Sequence, residues 1–362
     1  MARKINGLSP DLLFHPGETL RELIDDRGMN QKELAVRTGF SEKHISKILS
    51  GDYDITARFA FALEHVFEVS ATFWINLQAN YDLEKMMTDS LMSVTDEERG
   101  IIPDLSQVIK YFIENGLMED VRDRAQKVLM LRKILGVNNL TVIPALSINS
   151  SFRVSTNSSI NPYILFSWIK ICEMNADKSL PGIELNNEKL INELASIRKI
   201  MFSKSGEEMY SKLISSLKQS GVQFRIIPHF TGAPVYGFIE RLNNGEVLLC
   251  LTLRHAYAGI FWFTLFHEIS HIINNDIRNR LIEFDGMRTD EEIMADEFAK
   301  NTLIESNKWE AYIKKNNFSI QSIKSFAKSV DVPHFIVIER LQKEKLIPYN
   351  MYASEKIRYK WN

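Results

Sequence analysis

The chain has 362 residues, 45% of them hydrophobic and 25% charged, and a formal net charge of −2. That length exceeds what one hydrophobic core usually holds, so a soluble protein of two or three domains is expected. The charge balance excludes a protein that coats polyanions with its whole surface, and leaves room for one local DNA-binding face.

The N-terminus, MARKINGLSPDLLFHPGE, has two basic residues and no following apolar stretch, unlike a secretory signal. The longest apolar window, around Ala256 to Phe266, falls short of the roughly 20 residues a bilayer span needs. Cys172 and Cys250 lie far apart in apolar contexts, the pattern of two reduced core thiols. A cytoplasmic protein without a membrane partner is the expectation.

Residues 15–85 read as short helices. In GETLRELIDDRG, Leu20, Leu23 and Ile24 share one helical face, and Gly28 is a stop signal. NQKELAVRTG opens on Asn30 as N-cap with Glu33 three residues later, a capping-box arrangement, and closes on Gly39. SEKHISKILSG repeats the plan, with Ser41 as cap, Ile45, Ile48 and Leu49 inward and Gly51 as stop. Two such helices joined by a Gly-containing turn form a helix-turn-helix. With Ile45 and Ile48 buried, Glu42, Lys43, His44, Ser46 and Lys47 are outward.

The stretch HPGETLRELIDDRGMNQKELAVRTGFSEKHISKILSGDYDIT, with the later FWINLQANYDL, resembles an Xre-type helix-turn-helix of the HigA antitoxin kind over residues 10–85. The resemblance implies that Glu42, Lys43 and Lys47 read bases, while Gln31 and Ser41 hold phosphates of a double-stranded operator. It also implies a homodimer on paired half-sites. Residues 27–47 carry five Lys/Arg against two Asp/Glu, but residues 1–60 balance nine against nine. An exposed charged face used for protein contact is the competing reading.

Residues 86–204 read as a helical linker or sensor region, interrupted by the Ser- and Asn-rich ALSINSSFRVSTNSSIN, a loop or a linker. The period then changes. VQFRIIP, VYGFIER and VLLCLTL are strand-like, and the Asn-Gly of LNNGE marks a hairpin between the last two. Either of the runs 235–241 and 247–253 is a candidate to pair with an extended peptide. An apolar helix, a charged loop and the helix DEEIMADEFAKNTLI follow.

The apolar helix contains FWFTLFHEISHIINN. His267 and His271 are four apart and share a helical face, the spacing at which two imidazoles reach one zinc ion. Glu268 is placed to take a proton from a zinc-activated water. A third ligand is wanted, and Glu292, the 21st residue after His271, is the candidate, with Glu291 as its rival. Asp296 shares Glu292's face and would accept a hydrogen bond from a ligand histidine. A bare HExxH also arises by chance, and its polar residues then serve the core. Arg254, His255 and Tyr257 lie just before the helix and are candidate transition-state stabilisers, or are structural.

FWFTLFHEISHIIN followed by EEIMADEFAKNTLI resembles the ImmA/IrrE family of bacterial zinc metallopeptidases. The resemblance extends through RIIPHFTGAPVYGFIE, LTLRHAYAGIFWF and VDVPHFIVIERLQ, covering roughly residues 205–348; Ser270 stands where Gly is common. It implies one Zn2+ per chain on His267, His271 and Glu292, with Glu268 as base. It further implies a regulatory protein as substrate, such as a repressor or toxin–antitoxin partner.

The expected fold is multidomain and mainly α. An all-α helix-turn-helix domain (10–85) and the helical middle (86–204) precede an α+β zincin-like metallopeptidase domain with a small sheet (205–310). C-terminal helices (311–362) pack on the peptidase, because Phe326, Phe335 and Ile338 look like core residues. Two functions compete: a DNA-binding zinc endopeptidase, and an antitoxin-type repressor whose zinc domain is structural or sensory. Glu268 argues for the first, since a structural zinc has no use for a base.

Overall fold

The computed structural model describes residues 13–149, 160–179, 182–254, 257–277, 280–284 and 289–359. The backbone divides into two compact units, one reaching to Ile102 and including Asp120–Lys133, the other made of Pro103–Glu119 and the residues from Ile134 onward.

The first unit is helical: α1 (Pro16–Asp26), α2 (Gln31–Thr38), α3 (Glu42–Leu49), α4 (Ala57–Phe67), α5 (Ala71–Met92) and α6 (Asp96–Ile101). The expected caps form. Asn30 Oδ1 accepts the Glu33 N–H at 2.9 Å, and Ser41 Oγ accepts that of His44 at 3.2 Å. Gly39 ends α2 at φ 72°, a left-handed position that costs glycine nothing. Leu20, Ile24, Leu34, Ile45, Ile48, Phe59, Leu63 and Trp74 form the core. Fully burying each large side chain contributes about 1.5–3 kcal/mol, which is why this small bundle needs all of them. α1 touches the backbone of α3 at Gly17, where a Cβ would stand 2.0 Å from the Ile48 carbonyl oxygen. α5 runs unbroken through residue 85, where the domain boundary was expected.

The helix α7 (Ser106–Glu114) belongs to the second unit, and residues 124–133 of α8 (Arg124–Leu135) belong to the first. There the fully buried Glu98 accepts from Arg132 Nε at 2.9 Å and from a terminal nitrogen at 2.5 Å, pinning α8 to α6.

The second unit continues with α9 (Ile143–Asn149), α10 (Pro162–Met174), α11 (Asn187–Ile200) and α12 (Gly206–Lys218). The strands β1 (Val222–Ile227), β2 (Val235–Arg241) and β3 (Val247–Thr252) follow. Then come α13 (Ala258–Asn274), β4 (Arg280–Phe284), α14 (Asp290–Leu303), α15 (Ser306–Ile313), α16 (Ile320–Ser329) and α17 (His334–Lys343). The sheet order is β1-β3-β2-β4. β2 and β3 form the expected antiparallel hairpin, with Gly245 at φ 88° in its turn, and β3 runs parallel to β1.

Two expectations are corrected. The charged loop after α13 contains a strand, β4, paired antiparallel with β2. Neither candidate strand therefore presents a free edge: β3 lies between β1 and β2, and β2 between β3 and β4.

The core of this unit gathers Phe224, Leu249 and Leu251 from the sheet with Trp262, Leu265, Phe266 and Ile269 from α13. Phe335 and Ile338 are buried in the same core, and Phe326 stacks on Tyr312 with ring centroids 4.0 Å apart. The last helices pack as their apolar pattern predicted. Cys172 and Cys250 are free and buried; burial pushes the Cys172 thiol well up, and a hydrogen bond to Cys250 adds to this. Among the described residues no single helix is long and apolar enough to cross a membrane.

Candidate metal centre and nucleic-acid interface

α13 is almost wholly buried, so its polar residues must be satisfied from neighbouring elements. Its N-cap, Tyr257, makes no capping bond through its side chain. Glu339 of α17 does that work, accepting the Gly259 N–H at 3.2 Å and the Ile260 N–H at 3.1 Å. A Cβ on Gly259 would lie 2.6 Å from a Glu339 oxygen, so the approach needs glycine there. At the other end Asn275 closes the helix at φ 61°.

His267 and His271 sit one turn apart on this helix, 2% and 1% exposed. Their Nε2 atoms are 3.2 Å apart. Glu292 of α14 completes the cluster, one oxygen 3.1 Å from His267 Nε2 and the other 3.6 Å from His271 Nε2. Both outer nitrogens meet carboxylates: His267 Nδ1 lies 3.1 Å from Asp296 and His271 Nδ1 lies 3.0 Å from Asp276. Those contacts favour a proton on each Nδ1, which turns both Nε2 lone pairs toward one point.

With both Nδ1 atoms protonated, three acceptors converge on one point, an arrangement that suits a cation or a shared proton. Donors on a tetrahedral ion at about 2.0–2.1 Å stand about 3.3 Å apart, so the separations here fit a zinc-sized ion. Where a shared proton takes the place of an ion, burial works to raise the Glu292 carboxyl, yet hydrogen bonds from His267 and His271 hold it at about 2. Asp296 is also held low, against its burial, by its bond to His267.

Glu268 is fully buried, its carboxylate against Gly237 of β2, where a Cβ would stand 1.8 Å from Oε1. β2 thus needs glycine at this position to accommodate the carboxylate. Glu292 rather than Glu291 faces the histidines, and Glu291 is exposed on α14. Asp276 was not anticipated; its only signal was a carboxylate five residues after the second histidine.

Of the three candidate transition-state stabilisers, Tyr257 is not brought to this cluster. Tyr257 begins α13, ten residues before His267, about 15 Å along the helix axis. Its ring holds Lys356 at 3.9 Å and its hydroxyl accepts from Arg358. Arg254 lies over the Tyr236 ring at 5.1 Å and reaches the Pro234 carbonyl. His255 lies outside the described residues.

In the first unit Gln31, Ser41, Glu42 and Lys43 are exposed at the starts of α2 and α3. The Ser41 hydroxyl also caps α3, and Lys47 is tied to Asp52 at 2.7 Å. His44, expected outward, instead stacks on Phe40 at 4.9 Å, beside Phe59 and Tyr53. The outward face of α3 is therefore narrower than its sequence suggested.

A helix-turn-helix family profile matches residues 20–74. Virulence-associated protein A' of Dichelobacter nodosus is 34% identical over 73 residues, 20% of this chain, and the chain spans 64% of that protein's own length. Virulence-associated protein I of the same organism is 36% identical over 77 residues, 21% of this chain and 71% of the relative. Among solved structures, an addiction module antidote protein of the HigA family from Coxiella burnetii is 27% identical, with a TM-score of 0.20. That match covers 27% of this chain and 92% of the antidote protein.

Proposed function

Because the chain belongs, through its N-terminal domain, to the helix-turn-helix family, we propose that it is a DNA-binding regulator whose second unit is a zinc endopeptidase of the ImmA/IrrE kind. One observation carries the peptidase half: acceptor atoms of His267, His271 and Glu292 lie within 4.8 Å of one another, with Glu268 on α13 beside His267.

His267 and His271 would hold the ion through Nε2 and Glu292 through a carboxylate oxygen, while Asp276 and Asp296 keep the Nδ1 protons in place. Zinc, when bound, supplies a Lewis acid that polarises a peptide carbonyl and lowers the pKa of water. Glu268 takes the proton of the attacking water on a carboxylate oxygen and delivers it to the amine nitrogen of the departing peptide. The substrate class is a regulatory protein, a repressor or toxin–antitoxin partner. Double-stranded operator DNA is the partner of the N-terminal domain, bound by a dimer.

A second reading is an antitoxin-type repressor whose metal site is structural or sensory, and the complete burial of Glu268 favours it. Metal analysis of wild type, Glu268→Ala and Glu292→Ala separates the roles. The first two are expected to carry about one zinc per chain and the third none. A wild type that takes up no supplied zinc would end the peptidase reading. Equal cleavage of regulator substrates by wild type and Glu268→Ala would leave the repressor reading standing.

A further inference from the structure

We propose that the outer edge of β2 is the docking edge for an extended peptide substrate, and that β4 fills that edge as a resident strand which must leave before cleavage. This rests on the peptidase reading and names its substrate edge and a control on it.

The argument starts from Glu268. Its carboxylate packs against the backbone of Gly237, so the base touches β2 itself. A base must come within hydrogen-bond reach, about 3 Å, of the water or amine it serves. Neighbouring strands are about 4.8 Å apart, so a strand beside β2 lies within one side chain of the base, and one further out, at twice that spacing, does not. On its other side β2 is paired with β3, which is itself enclosed by β1. One strand position beside β2 is therefore compatible with a reacting peptide, and Arg280–Phe284 holds it.

The register sharpens this. β4 pairs antiparallel with β2 through Val235↔Phe284, Phe238↔Ile282, Ile239↔Leu281 and Glu240↔Arg280, and the ladder is irregular between Val235 and Phe238. Gly237, the residue that receives Glu268, falls inside that irregularity. The ladder thus loses its regular pairing beside the base, where a peptide carbonyl would have to be presented. β4 also lies in the connection between Asp276, which contacts His271, and Glu292, which completes the cluster. An extended peptide would gain its backbone bonds by replacing those of β4, the strand-addition mode of peptide recognition.

Two variants and two probes test this. Ile282→Pro removes a backbone donor from the middle of β4 and disfavours its pairing. Glu240→Cys with Arg280→Cys places thiols at paired positions, so oxidation locks β4 onto β2 and reduction frees it. The probes, titrated into zinc-loaded full-length protein, are an extended peptide hydroxamate and acetohydroxamate, which is too short to use a strand edge. Peptide hydroxamate is expected to bind at least tenfold more tightly to Ile282→Pro than to wild type, and at least tenfold more weakly to the oxidised double variant than to its reduced form. Acetohydroxamate is expected to bind all forms alike. Equal peptide affinity across all forms, with acetohydroxamate bound, overturns the assignment of β4 and leaves the peptidase reading intact. Failure of acetohydroxamate to bind the zinc-loaded wild type overturns the peptidase reading, and the docking edge falls with it. The locked variant decides the matter even where the proline variant fails to fold.

Discussion

Glu339 meets two opposed demands. It caps α13 through two backbone N–H groups, and burial pushes its carboxyl up to about 7 although those donors and Lys356 pull the other way. In the folded chain the group keeps its proton to about pH 7, against 4.5 for an unperturbed carboxyl. Its stabilising contribution is therefore complete below pH 4.5 and is lost as the pH rises through 7. The gap corresponds to at most roughly 3 kcal/mol, less solvent screening of a partly exposed group. Glu339→Gln keeps an acceptor and cannot ionise, so it should match wild type below pH 4.5 and exceed its stability above pH 7. Urea midpoints at the two pH values check this; a variant that tracks wild type at both would refute it. At this scale His267, Glu268, His271, Glu292 and Asp296 were legible because four-residue spacing is a property of one helix. Asp276, Gly237 and Glu339 were not, because each acts across a turn or from another element.

For whole elements, the apolar faces of α1 to α3 and the N-caps of α2 and α3 followed from local sequence, since Asn30, Ser41 and Gly39 act on their own helices. The orientation of His44 did not, because the aromatic cluster that holds it includes Tyr53 and Phe59 from beyond α3. The same logic orders the DNA contacts. Lys43 is exposed, whereas Lys47 is engaged by Asp52. Lys43→Ala should cost about 1–3 kcal/mol of operator affinity and relax sequence preference, and Lys47→Ala should cost less. Anisotropy titrations with operator DNA selected in vitro would measure both. A larger loss at Lys47 would reverse this ranking of α3. β4 escaped notice because five residues in a charged context carry little alternation, and its hydrogen-bond partners lie some forty residues earlier in β2.

Across the molecule, the two compact units place the helix-turn-helix and the cluster of His267, His271 and Glu292 in separate cores. An ion bound only by the folded second unit stabilises it by mass action, about 4 kcal/mol at a thousandfold excess over the dissociation constant. Chelation should therefore lower the melting temperature of the zinc-loaded protein by several degrees and leave the affinity for operator DNA unchanged. Calorimetry beside anisotropy tests both halves, and an equal loss of DNA binding on chelation would refute the separation. The matched profile, confined to residues 20–74, accords with an N-terminal unit that carries its own recognition chemistry.

Sequence by itself determined the helix-turn-helix, the hairpin and the helical spacing of His267, Glu268 and His271, because caps, turns and helical periodicity act over a few residues. Tertiary structure decided which glutamate faces those histidines, which carboxylate holds the second of them, and that Tyr257 stands far along α13 from the cluster. It also decided that β2 has no free edge. The reason is physical: a side chain's partners across a core, and a strand's neighbours in a sheet, are set by the packing of segments distant in sequence.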